Sequence, residues 1–236
     1  MLLLEQFENL TLHPKNAARL KGLVLQLAVQ GKLTENWRRQ NPDVEPTTEL
    51  MKRIEAEKLV QSKGKKLKDK NLKPISADEP SHDLPKSWLW CRLGEIIHIS
   101  SGNGLTARDM AAEGTIPVYG GNGINGYHNT YNVEEQTIVI GRVGFYCGSI
   151  HLTQTKAWVT DNAFITTFSK QNIHRDFLVW LLKATNLKED ENATAQPVIS
   201  GKKVYPILIA LPPLAEQEAI VARVEVLMQK IEELEM

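Results

Sequence analysis

Apolar positions recur first at helical spacing. After "LHPKN", Ala17, Leu20, Val24 and Leu27 fall at 3-4-3 intervals, a narrow stripe along one helix face that suits packing on another helix. Pro14 occupies a tolerated first helical position, and Gly31 a natural stop. A second helix is predicted from Thr47, where Pro46 precedes "TTELMKRIEAEKLVQ" and Leu50, Ile54 and Leu59 supply the apolar points. The stretch "SKGKKLKDKNLKPISADEPSHDLP" that follows is rich in Lys, Pro and polar residues and reads as a solvated connector, its Lys63–Lys73 run as linker rather than phosphate clamp.

From Pro85 the period changes. Short apolar, β-branched runs ("IIHIS", "TIPVYG", "QTIVIG", "AWVTDNAFITTF") alternate with Gly and Asn clusters, the pattern of strands with irregular connections. One helical stretch, "RDFLVWLLKATN", interrupts them with Phe177, Leu178, Leu181 and Leu182 on a wide apolar face. The chain closes on "LPPLAEQEAIVARVEVLMQKIEELEM". Its double proline blocks a helix from running backwards, and beyond it Ile220, Val224, Leu227, Ile231 and Leu234 fall at 4-3-4-3 intervals. A seam this short requires a partner helix, in this chain or another. Three parts result: a helical segment with basic linker over 1–85, a strand-rich domain over 86–210, and the start of a coiled-coil helix over 211–236.

Composition narrows the classes. The 236 residues carry 28 basic and 28 acidic side chains, so a nucleic-acid role needs a local basic surface and cannot rest on net charge. No apolar run reaches the roughly 18 residues of a membrane span. Cys91 and Cys147 lie far apart without C-x-x-C spacing, which suggests neither a zinc site nor a disulfide framework and fits a reduced, cytoplasmic setting.

One motif invites an enzymatic reading. Gly121-Asn-Gly123-Ile-Asn-Gly126 spells G-x-G-x-x-G, but a dinucleotide fingerprint needs a helix to follow, and "YHNTYNVEEQTIVIG" is polar and then strand-like. The glycines are better suited to positive φ in a tight loop. Other catalytic patterns are missing from the sequence: no G-x-x-x-x-G-K-[ST], no H-E-x-x-H, no G-x-S-x-G, and no acidic residue followed two positions later by lysine. The pair Pro212-Pro213 follows Leu211, not the Asn or Asp that amino-methyltransferases place there. His98 and His151 read as polar positions in strands.

Recognition chemistry is what the residues do offer. Asn103, Arg108, Asn122, Asn125 and His128 stand among glycines between Gly102 and His128, and Asn and Arg make paired hydrogen bonds to base edges while glycines admit a phosphate to the backbone. Arg142 in "IGRVGFYCG" is expected to project from a strand end, and "SGKKVYP" adds Lys202 and Lys203.

At this point a family likeness is visible. "ARLKGLVLQLAVQGKLT", "ELMKRIEAEKLVQSKGK", "LPKSWLWCRLGEI" and "LPPLAEQEAIVARVEVLM" resemble, in this order, the specificity subunit of type I restriction-modification enzymes. The stretch from "IPVYGGNGINGYHNTY" to "AQPVISGKKVYPI" is similar to one class of that family's target-recognition domains. The resemblance implies an α/β (α+β-like) target-recognition domain with a strand-rich core, flanked by an N-terminal helical segment and a C-terminal coiled-coil helix. It implies a non-catalytic subunit that reads double-stranded DNA and docks methyltransferase subunits carrying S-adenosylmethionine, a complex that motor-nuclease subunits can join. No cofactor is expected in this chain itself.

The family's subunits hold two such domains, and this chain holds one, ending inside the first heptads. A half-length subunit that dimerises, or the N-terminal piece of a longer one, is expected, with the exposed seam pairing to a second copy or second half. Base-reading positions do not carry over from the family, so the DNA-facing residues above rest on their own chemistry. Two rival readings stand beside this one: a scaffold built on the heptad helices without DNA binding, and a nucleotide-dependent enzyme built on the 121–126 glycines.

Overall fold

The computed structural model describes residues 14–61, 72–187 and 198–233. Helix α1 (Pro14–Val29) ends where expected, with Gly31 at φ +71°. Its buried stripe is Ala17, Leu20, Val24 and Ala28; Leu27 is only half-buried. The 3-4-4 spacing follows a straight 3.6-residue helix, because α1 packs on a globular core and not along a supercoiled seam. Short α2 (Glu35–Gln40) leads to α3 (Thr47–Gln61), where Leu50 and Ile54 are buried but Leu59 is 55% exposed, against expectation.

The chain enters the strand-rich domain through β1 (Leu89–Arg92) and leaves through β9 (Leu208–Leu211), and these two pair antiparallel from Leu89↔Leu211 to Arg92↔Leu208. After the single turn α4 (Leu93–Ile96), a four-stranded antiparallel sheet runs in the order β2 (Ile97–Ser101), β8 (Ala163–Phe168), β5 (Ile138–Gly141), β6 (Ile150–Leu152). A second sheet has β3 (Ile116–Gly120) at its centre, antiparallel to β4 (Gly123–His128) and parallel to β7 (Trp158–Val159). Helix α5 (Arg175–Ala184) follows β8, and the turn α6 (Gly201–Val204) precedes β9.

Strand β5 shows why the middle run reads as unbroken apolar sequence. Ile138 and Ile140 face the main core with α1, α5 and the C-terminal helix, while Val139 faces a smaller core with Tyr119, Ala157, Val159 and Ala163. Both faces of the sheet are covered, so the polar half of the alternation is lost. Each such side chain contributes about 1.5–3 kcal/mol by leaving water.

Helix α7 (Leu214–Glu233) corrects the expectation of an exposed seam. Ile220, Val224, Leu227 and Ile231 are buried, as are Val221 and Met228, in the same core cluster as α1 and α5. That face is wider than an a/d seam, and its partners are helices of the same chain. Leu234 lies outside the described residues. The connector is corrected in part: residues 62–71 lie outside the described residues, but over 72–79 the chain is held to the domain. Arg92 donates to the carbonyls of Lys73 (3.3 Å), Pro74 (3.4 Å) and Pro206 (3.0 Å) and pairs with Glu79 (2.6 Å).

Candidate nucleic-acid interface

Two neighbouring residues at the start of α7 fix the domain on its helices. Glu216 is fully buried and accepts hydrogen bonds from Thr34 Oγ1 (2.7 Å), Arg38 Nη1 (2.5 Å) and Trp88 Nε1 (2.7 Å). Gln217 accepts from the backbone N–H of His174 (2.8 Å) and donates to the Pro212 carbonyl (3.1 Å). His174 is itself the N-cap of α5. Thr47 Oγ1 donates to the carbonyls of Ser87 (2.9 Å) and Leu211 (3.1 Å). Thus "LPPLAEQ" and "LP-x-x-W-x-W" meet in space, and their polar residues satisfy one another where water is excluded.

At one end of the four-stranded sheet, several backbone segments converge. Ser101, Gly141 and Ala163 end or begin adjacent strands. Gly102 N–H donates to Ala163 O (3.2 Å), Asn103 N–H to Val159 O (3.0 Å), Arg142 N–H to Asn162 O (2.9 Å) and Ile199 N–H to Arg142 O (2.8 Å). The β3–β4 turn joins them, because Ser149 Oγ donates to Gly121 O (2.7 Å). Close approach requires glycine at position 102: a Cβ there would stand 2.2 Å from the Val159 carbonyl oxygen.

This convergence brings together Asn103, Asn122 and Arg142, and Ile199, three residues before Lys202, ties the segment leading into the Lys202–Lys203 turn to it. Asn103, Asn122 and Lys202 are exposed, and Lys203 is half-buried. Arg142 follows the end of β5 but does not project freely. Its guanidinium lies 5.3 Å over the Phe164 ring and donates to Ser101 Oγ and the Asp161 carbonyl, both at 3.3 Å. It therefore ties the loops after β2, β5 and β7 together, and its Nε is buried without a partner among the described residues.

Three expected residues lie elsewhere. Asn125 is the extra residue of a β-bulge, since Val118 pairs with Gly126 and Tyr119 with Ile124. The bulge turns its exposed side chain over Gly120, where a Cβ would meet the Asn125 amide nitrogen at 2.0 Å. His128 ends β4 opposite Ile116, at the far end of the hairpin from Asn122, and packs edge-on against Trp158 at 5.4 Å. Arg108 is exposed in a turn closed by Thr106 Oγ1 donating to Asp109 (2.5 Å), in a loop that sets Met110 against Gly126.

Two features of the site had not been expected. Asn132 donates to the Val159 carbonyl (2.8 Å) and accepts from its N–H (2.7 Å), so one amide side chain continues the sheet; it also donates to Asn103 Oδ1 (3.2 Å). No local pattern marks it, because its partner is 27 residues away. Phe145 and Tyr146 are 80% and 52% exposed at the tip of the β5–β6 connection, and the unbroken aromatic pair between glycines was the available signal.

The chemistry of the remaining candidates is structural. The G-x-G-x-x-G stretch is a β-hairpin in which Gly123, at φ +88°, opens strand β4 where a fingerprint would open a helix. Burial pushes the Cys91 thiol well above its ordinary value, away from a reactive thiolate. Among the described residues no cluster of His, Cys, Asp and Glu could hold a metal, and no helix is long and apolar enough to cross a membrane.

A strand-rich domain held on a helical stem, with its loops gathered at one sheet end, defines a recognition module. The chain belongs to the type I restriction modification DNA specificity domain family, whose model matches residues 85–235. Over 95% of its length it is 28% identical to the type I restriction enzyme EcoAI specificity subunit of Escherichia coli, of which it spans 42%. Over 94 residues it is 45% identical to the Escherichia coli EcoEI specificity subunit, covering 39% of this chain and 15% of that protein. Its fold is similar to that of the type I restriction-modification S subunit from M. genitalium, with a TM-score of 0.60 and 19% identity over 99% of this chain and 53% of that one. The HsdS subunit from Thermoanaerobacter tengcongensis gives a TM-score of 0.51 and 20% identity over 80% and 50%. The chain thus spans about half or less of the length of these relatives.

Proposed function

We propose that this chain reads one part of a split DNA target, as the recognition module of a type I restriction-modification specificity subunit. The observation that carries the reading is the convergence of Asn103, Asn122 and Arg142 at one sheet end, with the exposed Lys202 on the segment bonded to it, in a chain of this family. Phosphate contacts from the lysines supply affinity and its salt dependence, and amide or guanidinium contacts to base edges supply specificity, at about 1–3 kcal/mol for each bidentate pair. Asn125 lies beside this surface over Gly120, while His128, at the far end of the hairpin, and Arg108, in the loop before β3, are more distant contacts in this reading.

The chain does no chemistry of its own in this reading. It works in the cytoplasm by docking methyltransferase subunits, in which S-adenosylmethionine is bound, and motor-nuclease subunits join the same complex. The helical stem supports that assembly, with self-association or a second recognition half met through the C-terminal helix beyond the face already buried. A map of methylated motifs in cells expressing this chain with its cognate methyltransferase tests the reading. A gapped palindrome assigns two copies acting together, and an asymmetric gapped motif assigns a second, different module. Assembly of the complex without any motif would favour a scaffold.

A further inference from the structure

The loop after β5 displays an apolar pair that the fold does not bury. Phe145 and Tyr146 stand edge to face, with ring centroids 5.1 Å apart at 87°. The loop beneath them is pinned. Gly141 N–H donates to Ser149 O (2.9 Å), Gly148 N–H to Gly141 O (2.8 Å), Cys147 N–H to Gly144 O (2.9 Å) and Ser149 N–H to Tyr146 O (3.0 Å). Gly144 and Gly148 take φ of +83° and +81°, values that L side chains resist, and Cys147 is buried as an anchor. Two aromatic rings this exposed on a pre-formed loop are organised to meet an apolar partner.

The surroundings say which partner. Segments 141–149 and 198–206 are joined by the Val143↔Val198 bridge and by Ile199 N–H donating to Arg142 O. Together they carry Arg142, Lys202 and Lys203 and no acidic residue. A protruding apolar ring, with the exposed Lys202 on the segment bonded to the ring's own, matches a partner with an anionic rim and an apolar interior, which is the cross-section of a DNA duplex: phosphates outside, stacked bases within.

We infer that Phe145 is a wedge that enters the base stack of bound duplex DNA at one step, with Tyr146 bracing its ring and Lys202 on a flanking phosphate. This rests on the DNA-binding reading above. The test uses the full specificity subunit assembled with its methyltransferase, on duplexes carrying 2-aminopurine at successive motif positions away from the methylated bases. The wild-type complex is expected to raise fluorescence at one position through unstacking. Phe145→Ala abolishes that signal and weakens binding by about tenfold or more. Its salt dependence keeps the same slope, since no phosphate contact is lost. Phe145→Leu, which keeps an apolar wedge, restores part of both.

A flat wild-type signal, or a signal and affinity unchanged in Phe145→Ala, overturns the wedge and leaves DNA binding standing. Loss of complex assembly by a folded Phe145→Ala chain overturns it in favour of a protein contact. A wild-type complex that binds no duplex in a salt-dependent way overturns both readings.

Discussion

The indole N–H of Trp88 donates to the carboxylate of Glu216 at 2.7 Å, across 128 residues of chain. The same carboxylate takes Thr34 and Arg38, so one buried side chain joins the N-terminal helices, the entry to the recognition domain and the C-terminal helix. Glu216→Ala removes the carboxylate from the Arg38 charge, which keeps its bonds to Gly31 O (2.6 Å) and Thr34 Oγ1 (3.1 Å), takes away the acceptor of Thr34 Oγ1 and Trp88 Nε1, and is expected to cost about 3–5 kcal/mol. Urea unfolding of the two proteins measures it. A loss under 1 kcal/mol would show that water replaces the carboxylate easily.

The burial of Ile220, Val224 and Ile231 inside one chain makes a different prediction. Ile231→Ala is expected to lower stability by about 2–5 kcal/mol through a cavity in the shared core. Because the partners of that face are α1 and α5, the destabilisation by Ile231→Ala should be the same at low and high protein concentration, whatever association the rest of the helix makes. A destabilisation that changes with concentration would put the face in an intermolecular contact.

Arg142 is anchored to Ser101 and Asp161 and lies over Phe164. Arg142→Ala is therefore expected to keep the fold at a cost of about 1–2 kcal/mol while loosening three loops at once. Affinity and site choice should both degrade. Normal motif maps and affinity in the variant would remove Arg142 from the interface.

Gly120→Ala and Gly102→Ala separate site from scaffold. At position 120 the obstacle is the end of the Asn125 side chain, which can swing away, so recognition changes while stability holds. At position 102 the obstacle is the Val159 carbonyl, part of the backbone, and the variant should lose stability by about 1–3 kcal/mol. Thermal unfolding beside DNA binding reads the two outcomes.

Acid should release the arm over residues 72–79. Its hydrogen bond from Arg92, helped by two from Ser76, holds the Glu79 carboxyl down to about 2 from an ordinary 4.5. A carboxyl depressed in the folded state stabilises it above pH 4.5, and that stabilisation is lost as pH falls toward 2. The difference in urea midpoint between wild type and Glu79→Gln should shrink over that window. A constant difference would assign the effect to something other than the charge.

The strand runs of the middle domain were legible because each is apolar, short and bounded by Gly or Asn, and Gly31 marked a helix end because its φ of +71° suits glycine. The seam on α7 was legible as an apolar face, but its partner was not: α1 lies at the other end of the sequence, and periodicity carries no address. Glu216 read as an ordinary surface acid for the same reason, since its three donors come from positions 34, 38 and 88. Among the site residues, spacing placed Asn103, Asn122 and Arg142 on loops, whereas only strand register separates Asn122 from His128 at opposite ends of one hairpin. The bulge that re-aims Asn125 is invisible to an alternating pattern.

The pairing of β1 with β9 has a consequence for how such a chain can change over time. Everything between Arg92 and Leu208 departs from and returns to one narrow neck, and the polar clasp of Trp88, Thr47, Glu216 and Gln217 lies outside the loops that gather at the sheet end. Loop sequences can therefore drift, or a whole insert be exchanged at the neck, while the fixture that seats it stays the same. Such an architecture lets new targets arise without a new machine being built around them.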